Sequence, residues 1–339
     1  QWLTGFQGSA GSAVVLPEEA AIFTDGRYTI QVRQQVDGGH WSYQSVPETS
    51  IAQWLKDNAA DGARIGYDPW LHTADWVKQA TAALAEKGAE LVAVGQNPID
   101  KIWADQPEPS PARLEPHSQN LAGRSSADKR RAIADWLQTA KADAAVIAAL
   151  DSIAWVLNIR GRDVVHTPVA LAFLVVHKDA TADLYVDPRK VDEELLNLLG
   201  DQVRVRGRDE FEAALRADFS GKTVAVDPER SVAAIFQALE EGGARIVRLR
   251  DPALLPKAIK NEVAGHKAAQ ARDGAAVSRF LKWIEDEQGS GQLDEIVAAD
   301  RLEALRHEHG DLKDLSFDTI SAYGPNGALP HYKGTEESN

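Results

Sequence analysis

Several features that would point to particular kinds of chemistry are missing from this 339-residue sequence. It contains no cysteine, which excludes disulfide bonds, cysteine nucleophiles and zinc sites built on thiolates. It also contains no methionine and begins with glutamine, so we expect it to be a segment of a longer protein. The longest uninterrupted apolar run is VALAFLVV at 169–176, which has the length of a β-strand and is too short to span a bilayer.

Positive charge is also scarce. There are 37 lysine and arginine residues against 51 aspartate and glutamate residues, and the basic residues are scattered rather than clustered. The net charge of −14 would repel a polyphosphate, which argues against a nucleic-acid partner. The 44% of apolar residues is enough to build globular cores. These properties predict a globular, cytoplasmic protein that does not bind nucleic acid or membranes.

An internal repeat is the clearest feature that the sequence does contain. Residues 2–35 and 155–190 each begin with tryptophan, pass through a glycine-containing turn and two short apolar runs, and reach Asp-Gly-Arg or Asp-Pro-Arg. GARIGYDPW at 62–70 follows the first copy, and GKTVAVDPE at 221–229 follows the second at a similar interval. Chance similarity between short strand-and-turn patterns is the alternative. The order of the landmarks favours two related α/β domains.

The second copy is preceded by an amphipathic helical pattern at 126–142, with Ser126 or Asp128 as its N-cap. The first copy has no such helix ahead of it, so we expect the first domain to be truncated at its N-terminus. A proline-rich connector then separates domain I at 1–115 from domain II at 120–250.

Residues 256–339 are predicted to begin a third domain. Long helical patterns occupy 250–287 and 293–310, and Gly310 is a plausible C-cap for the second helix. SFDTISAYG at 316–324 and GALPHYK at 327–333 are predicted to be strands. This last domain is expected to be incomplete.

These segments together resemble the long, three-domain Xaa-Pro aminopeptidases of the creatinase and methionine aminopeptidase superfamily. The resemblance is carried, in the family's order, by WLTGFQGSAGSAVV, AAIFTDGRYTIQ, DKIWADQP, DSIAWVLNIRG, KNEVAGHKAAQARDGAAVSRFLKWI and FDTISAYGPNGALPHYK. It implies an α/β architecture of two creatinase-like domains followed by the beginning of a pita-bread catalytic domain. It also implies a homodimeric metallo-aminopeptidase that releases the first residue from peptides with proline in second position.

The resemblance further implies a hydroxide activated by two divalent metal ions, with manganese preferred and zinc as the alternative. The family's ligands are two aspartates, one histidine and two glutamates, which are expected beyond Asn339. No catalytic or metal-ligating residue is therefore predicted within the sequence, and residues 1–339 are expected to be inactive alone. The densest alternative is HEHG at 307–310, but His307 and His309 are two residues apart near a helix end and point in different directions.

Two residues are predicted to bind substrate. His331 follows Pro330, which favours an extended backbone, and lies between an apolar segment and a tyrosine, although a purely structural histidine is the alternative. Arg27 belongs to the turn that Asp25 is expected to cap, and its planar guanidinium could hold a carboxylate or carbonyl oxygen or simply bridge to Asp25. The resemblance implies that His331 contacts substrate beside the metals without ligating them, and that Arg27 reaches the substrate from the first domain.

Two other functions remain open at this stage. A prolidase or creatinase would share the fold, but these relatives usually carry one N-terminal domain rather than two. A non-catalytic pseudoenzyme or binding module would keep both small domains and lack the metal ligands.

Overall fold

The computed structural model describes residues 1–258, 263–310 and 312–338. It divides into two compact units. Unit 1 comprises Gln1–Ile65, Gln79–Leu91 and His266–Asn339, and unit 2 comprises Gly66–Lys78 and Val92–Gly265.

Strands and helices are interspersed along the chain. The first third of the chain contains β1 (Gly11–Val15), β2 (Ala20–Thr24), α1 (Gln31–Gln35), β3 (Ser42–Ser45), α2 (Ile51–Asn58), β4 (Arg64–Tyr67), α3 (Ala74–Ala85), β5 (Glu90–Ala93) and α4 (Pro98–Ile102). The middle contains β6 (Glu115–Pro116), α5 (Gln119–Ala122), α6 (Ser126–Ala140), β7 (Ala144–Ile147), α7 (Leu150–Leu157), β8 (Ile159–Arg160), β9 (Phe173–His177), β10 (Ala182–Val186), α8 (Glu193–Leu199), β11 (Val203–Gly207), α9 (Phe211–Ala217), β12 (Thr223–Val226), α10 (Ala233–Glu241), β13 (Arg245–Arg248) and α11 (Leu254–Ala258). The last part contains α12 (Val263–Glu287) and α13 (Glu295–His307).

A six-stranded sheet organises unit 2, with the order β11-β10-β9-β7-β12-β13. Strand β9 runs antiparallel to both of its neighbours, and the other pairs are parallel. All residues of β7 are buried, with Ala145 and Ile147 in one apolar cluster and Ala144 and Val146 in another. Helices cover both faces, because successive side chains of a strand point to opposite sides and both sides here are apolar.

Unit 1 contains a smaller sheet with the order β1-β2-β3. Strand β2 is antiparallel to β1 and parallel to β3. Its Phe23 packs into a cluster with Trp54 and Leu84, whereas Ile22 packs on the opposite face with Tyr28. Successive side chains of β2 point to opposite faces of the sheet, so the turn after β2 packs against the second of these clusters, which contains Ile22 and Tyr28.

The repeat predicted from sequence is present as two sets of matching local elements. The β1-β2 pair corresponds to β9-β10, and each is followed by a short 3-10 helix, Gly26–Tyr28 or Pro188–Lys190, which an aspartate caps. The β4-β5 pair likewise corresponds to β12-β13. In the second copy β7 lies between the two pairs, and residues 1–93 provide no strand that corresponds to β7.

Two details of the sequence-based assignment are wrong. The N-cap of α6 is Ser125, whose Oγ accepts the Asp128 N–H at 3.0 Å, rather than Ser126 or Asp128. Helix α13 ends at His307 with Glu308 as its C-cap, so Gly310 lies beyond the cap. Part of the helix predicted at 250–287 falls on residues 259–262, which lie outside the described residues.

The two strands predicted near the C-terminal end are also absent from the described residues there. Instead, the backbone is irregular until a 3-10 helix at Gly324–Ala328, and the Tyr332 N–H donates to the Leu329 carbonyl in a following turn. Alternating apolar residues form a strand only where a neighbouring strand completes the hydrogen bonds, and this segment has none within the described ranges. His331 therefore lies in a turn. No helix in the described ranges has the length and apolar character needed to cross a membrane.

We expect two glycine substitutions to have opposite effects on stability. A Cβ at Gly161 would lie 2.6 Å from the Val169 carbonyl carbon, so Gly161→Ala should lower the free energy of unfolding by about 1–3 kcal/mol. A Cβ at Gly274, within α12, would meet nothing within 4 Å, so Gly274→Ala should raise it by about 0.5–1 kcal/mol. Urea unfolding followed by circular dichroism measures both, and an unchanged midpoint for Gly161→Ala would contradict the packing argument.

Candidate functional site

The turn after β2 holds Arg27 in a fixed orientation. The Asp25 Oδ1 accepts the Arg27 backbone N–H at 3.0 Å and its Nε–H at 2.9 Å, and Oδ2 accepts from Nη2 at 2.6 Å. The predicted capping role of Asp25 is thus confirmed. The side-chain hydrogen bonds from Arg27, and then its backbone N–H, lower the pKa of Asp25 from 3.8 to about 2. The same contact raises the pKa of Arg27.

The next residue, Tyr28, is a buried platform beneath Arg27. Its hydroxyl accepts the Ser9 backbone N–H at 3.1 Å and lies 2.6 Å from the Ser9 Oγ, and the Phe6 ring meets its ring edge-on at 5.3 Å. The Arg27 Cζ lies 5.0 Å from the centre of the Tyr28 ring, where the guanidinium can interact with the π-face. The ring of His331 stacks on Tyr28 at 5.5 Å, with 24° between the planes.

Both residues that the sequence singled out therefore occur in one place within unit 1. The Arg27 Nη1 lies 3.4 Å from the His331 Nε2, although the two residues are 304 positions apart in the chain. A guanidinium carries only donors, so this long hydrogen bond requires Nε2 to accept and leaves the proton of the neutral ring on Nδ1. Both side chains are exposed. Their donors can meet a carbonyl or carboxylate oxygen of a ligand.

A buried carboxylate holds the segment that carries His331. Glu295, at the start of α13, accepts hydrogen bonds from the Tyr332 hydroxyl at 2.6 Å, from the Tyr323 backbone N–H, and from the Asn326 Nδ2 at 3.1 and 3.2 Å. The bond from Tyr332 is the largest cause of the lowered pKa of Glu295, which burial opposes. Sequence reasoning missed Glu295, because an acidic residue at a helix start normally indicates nothing more than a favourable helix terminus.

Sequence reasoning also missed Tyr28 and Ser9. The available signal was the position of Tyr28 directly after Arg27 in the sequence. The glycine-containing turn of the first copy, at 5–12, does more than reverse the chain. A Cβ at Gly8 would lie 2.2 Å from the Phe6 ring, so this segment needs glycine to bring Ser9 to the Tyr28 hydroxyl.

Metal-binding potential is limited in the part of the chain that the structure describes. No group of three or more histidine, cysteine, aspartate or glutamate side chains there could hold a metal ion. At the end of α13, the Nε2 of His307 lies 3.5 Å from a carboxylate oxygen of Glu303, and both side chains are exposed. This HEHG segment is a polar helix terminus.

Family models match consecutive segments of the chain. A model described as the creatinase/prolidase N-terminal domain matches residues 1–102, and a second model with the same description matches residues 105–264. A model of metallopeptidase family M24 matches residues 264–338.

Individual relatives agree with these matches. A probable Xaa-Pro aminopeptidase P of Aspergillus clavatus is 37% identical over 350 residues, which cover 98% of this chain and 53% of the relative. Over almost its whole length the chain is thus similar to Xaa-Pro aminopeptidases, and its last segment matches metallopeptidase family M24. The corresponding Aspergillus flavus protein is 35% identical with the same coverage. The sequence-based recognition and the order of two creatinase-like domains and the start of an M24 domain are thereby confirmed.

A solved structure supports the same architecture. The X-prolyl aminopeptidase of Caenorhabditis elegans, described as a cytosolic enzyme with a di-nuclear active site, superposes with a TM-score of 0.90 at 32% identity. The match covers 99% of this chain and 56% of the worm protein. This chain therefore spans about half the length of the relatives it matches.

The Asp25–Arg27 contact can be tested by titration. We expect the carboxyl of Asp25 to titrate with a midpoint of about 2, and Arg27→Ala to raise the midpoint towards about 3.9, because the donors that favour the carboxylate are lost. The contact is fully present above pH 4 and is lost as the pH falls through the lowered pKa. Carbon-detected NMR of the aspartate carboxyls measures this.

Asp187 is an internal control in the same sample. It makes the equivalent contact with Arg189, and its pKa is also lowered to about 2. Its midpoint should not move in the Arg27→Ala protein. An unchanged midpoint for Asp25 in that protein would show that Arg27 does not hold the carboxylate.

Proposed function

We propose that this chain is part of a metallo-aminopeptidase that releases the N-terminal residue from peptides with proline in second position, and that Arg27 and His331 bind the substrate. The similarity to Xaa-Pro aminopeptidases over 98% of the chain supports the activity. The observation that carries the proposed site is the 3.4 Å approach of two exposed side chains that both lie in segments characteristic of the family.

The chemistry of these two residues suits such a substrate. A peptide bond to proline has no N–H, so a binding site can recognise it through its carbonyl oxygen but not through a donor. Arg27 and the Nδ1–H of His331 provide donors only, which matches an acceptor of this kind. Asp25 holds the guanidinium through two hydrogen bonds and the Arg27 backbone N–H through a third, so the donors are oriented before substrate arrives.

Two divalent metal ions, with manganese preferred over zinc, are proposed for the complete protein because the worm relative is described as di-nuclear. When bound, such a pair generates a hydroxide nucleophile near neutral pH. The described residues do not fit as its ligands, because they include no suitable group of three or more side chains. We therefore propose that the ions bind to residues outside the described ranges.

Three further properties belong to the same proposal. A cytoplasmic location is supported by the description of the worm relative as cytosolic, and peptide substrates follow from the activity. A homodimer is proposed for the complete protein and can be checked by mass photometry.

A non-catalytic member of the family is the second candidate, favoured by the lack of a metal-binding group in the described ranges. Metal-dependent hydrolysis by the complete protein would exclude it.

The role of Arg27 and His331 can be tested in the complete protein loaded with manganese. We expect cleavage of an Arg-Pro-Pro peptide at its first bond, and Arg27→Ala or His331→Ala should lower kcat/KM by about 10- to 100-fold, because a donor to the substrate is lost. Initial rates over a range of peptide concentrations measure this effect.

Arg189→Ala is the matched control, because Arg189 forms the same kind of turn with Asp187 in the second copy. It should change kcat/KM by less than about twofold. Equal losses for Arg27→Ala and Arg189→Ala would contradict a specific role for Arg27.

The isolated 339-residue chain provides a separate test. Because its described residues offer no metal-ligand set, we expect no manganese-dependent cleavage of the same peptide by this chain alone. Cleavage that is abolished by a chelator would overturn the assignment of the ions to other residues.

A further inference from the structure

Glu295, at the start of α13, is an acidic residue that is only 7% exposed. We propose that Glu295 is a positioning residue that fixes the turn carrying His331 and so holds the imidazole against Tyr28 and Arg27. The relevance of this role to catalysis rests on the proposed function of His331. The positioning itself can be tested without any enzymatic assay.

The hydrogen bonds of Glu295 converge from one segment of the chain. Its carboxylate oxygens accept from the Tyr323 backbone N–H, the Asn326 side-chain amide and the Tyr332 hydroxyl. The Asn326 Nδ2 also donates to the Tyr332 oxygen at 2.9 Å and to the Ser338 carbonyl at 2.9 Å. The carboxylate thus ties together residues between 323 and 332, and Asn326 extends the network to Ser338.

The helix itself does not explain this arrangement. Asp294 is the N-cap of α13, and its Oδ1 accepts the Val297 N–H at 2.7 Å. The cap position is therefore already occupied by a carboxylate. Glu295 follows the cap and turns its side chain towards the 323–338 segment instead.

Apolar burial provides little alternative support for the same segment. The side chain of Tyr323 is 86% exposed and that of Phe317 is 64% exposed, and no strand pairing is present at 312–338. Tyr332 is the one large buried side chain of the described part of this segment. The hydrogen bonds to Glu295 form a polar anchor, which must consequently restrict the motion of this segment to the extent that apolar packing does elsewhere in the protein.

The anchor acts directly beside the functional residue. Tyr332 is adjacent to His331 in the chain, and its N–H donates to the Leu329 carbonyl at 3.1 Å. Fixing the Tyr332 hydroxyl on Glu295 therefore fixes the backbone from which His331 extends. On its other side, the imidazole lies on the Tyr28 ring. Loss of the Glu295 carboxylate should release His331 from that ring without altering the turn that holds Arg27.

The first experiment compares Glu295→Gln, which keeps the size of the side chain, with Tyr332→Phe, which removes one hydroxyl and keeps the ring. Amide hydrogen exchange in the 323–338 segment should accelerate by about 10- to 100-fold in both variants, because the buried acceptor or its principal donor is lost. In nitrogen-15 histidine NMR spectra, the His331 ring signals should shift or broaden as the stack on Tyr28 is lost.

Glu303→Gln is the matched control on the same helix, because the side chain of Glu303 is exposed and its carboxylate lies 3.5 Å from the Nε2 of the exposed His307. It should leave exchange in the 323–338 segment and the His331 signals unchanged. Unchanged exchange and unchanged His331 signals in both Glu295→Gln and Tyr332→Phe would overturn the proposal, whatever the activity of either variant.

A double-mutant cycle, measured by kinetics in the complete, metal-loaded protein, then distinguishes an effect of Glu295 on the position of His331 from a general loss of stability. Glu295→Gln should lower kcat/KM by about tenfold in the wild-type background and by less than about twofold in a His331→Ala background, since its effect passes through His331. Equal losses in both backgrounds would overturn the positioning role. If exchange accelerates but neither Glu295→Gln nor His331→Ala changes the kinetics, the anchor stands and the proposed function of His331 fails.

Discussion

The candidate site depends on the burial of the Tyr28 ring beneath two exposed polar side chains. The ring is 1% exposed, and Ser9 fixes its hydroxyl, so it cannot rotate away from its position. Arg27 lies over this ring and His331 stacks on it. A rigid aromatic surface can thus bring together side chains from distant parts of the sequence, and the contact between them is too long to do so alone.

The second copy of the repeat shows what the same turn does without that ring. Asp187 and Arg189 reproduce the contact of the first copy, and the pKa of Asp187 is also lowered to about 2. The residue that corresponds to Tyr28 is Lys190, which is equally buried but forms an ion pair with Asp163. A buried ion pair commits both partners to each other, so Lys190 is held on the loop at Asp163 and presents no aromatic ring on which a second segment could stack.

Sequence patterns predicted those parts of the structure that depend on residues close together in the sequence. The turn at Asp25 and the amphipathic helix at 126–142 follow from local propensities, and both were found close to where they were expected. The strands predicted at 316–324 and 327–333 were wrong, because a strand requires a partner that the local pattern does not reveal. The role of Glu295 was missed for the same reason, since its donors lie about 30 residues away.

The two anchors also determine what kind of ligand the site favours. Asp25 compensates the charge of Arg27, so the pair presents an oriented dipole rather than a free cation, which suits a neutral carbonyl oxygen better than a free carboxylate. Because Asp25 and Glu295 already restrict the two segments, binding loses little further side-chain freedom, which otherwise costs about 0.5–1.5 kcal/mol for each immobilised side chain. Exposed side chains can therefore form a specific binding site when buried or ion-paired carboxylates hold them, or the segments that carry them, in fixed positions.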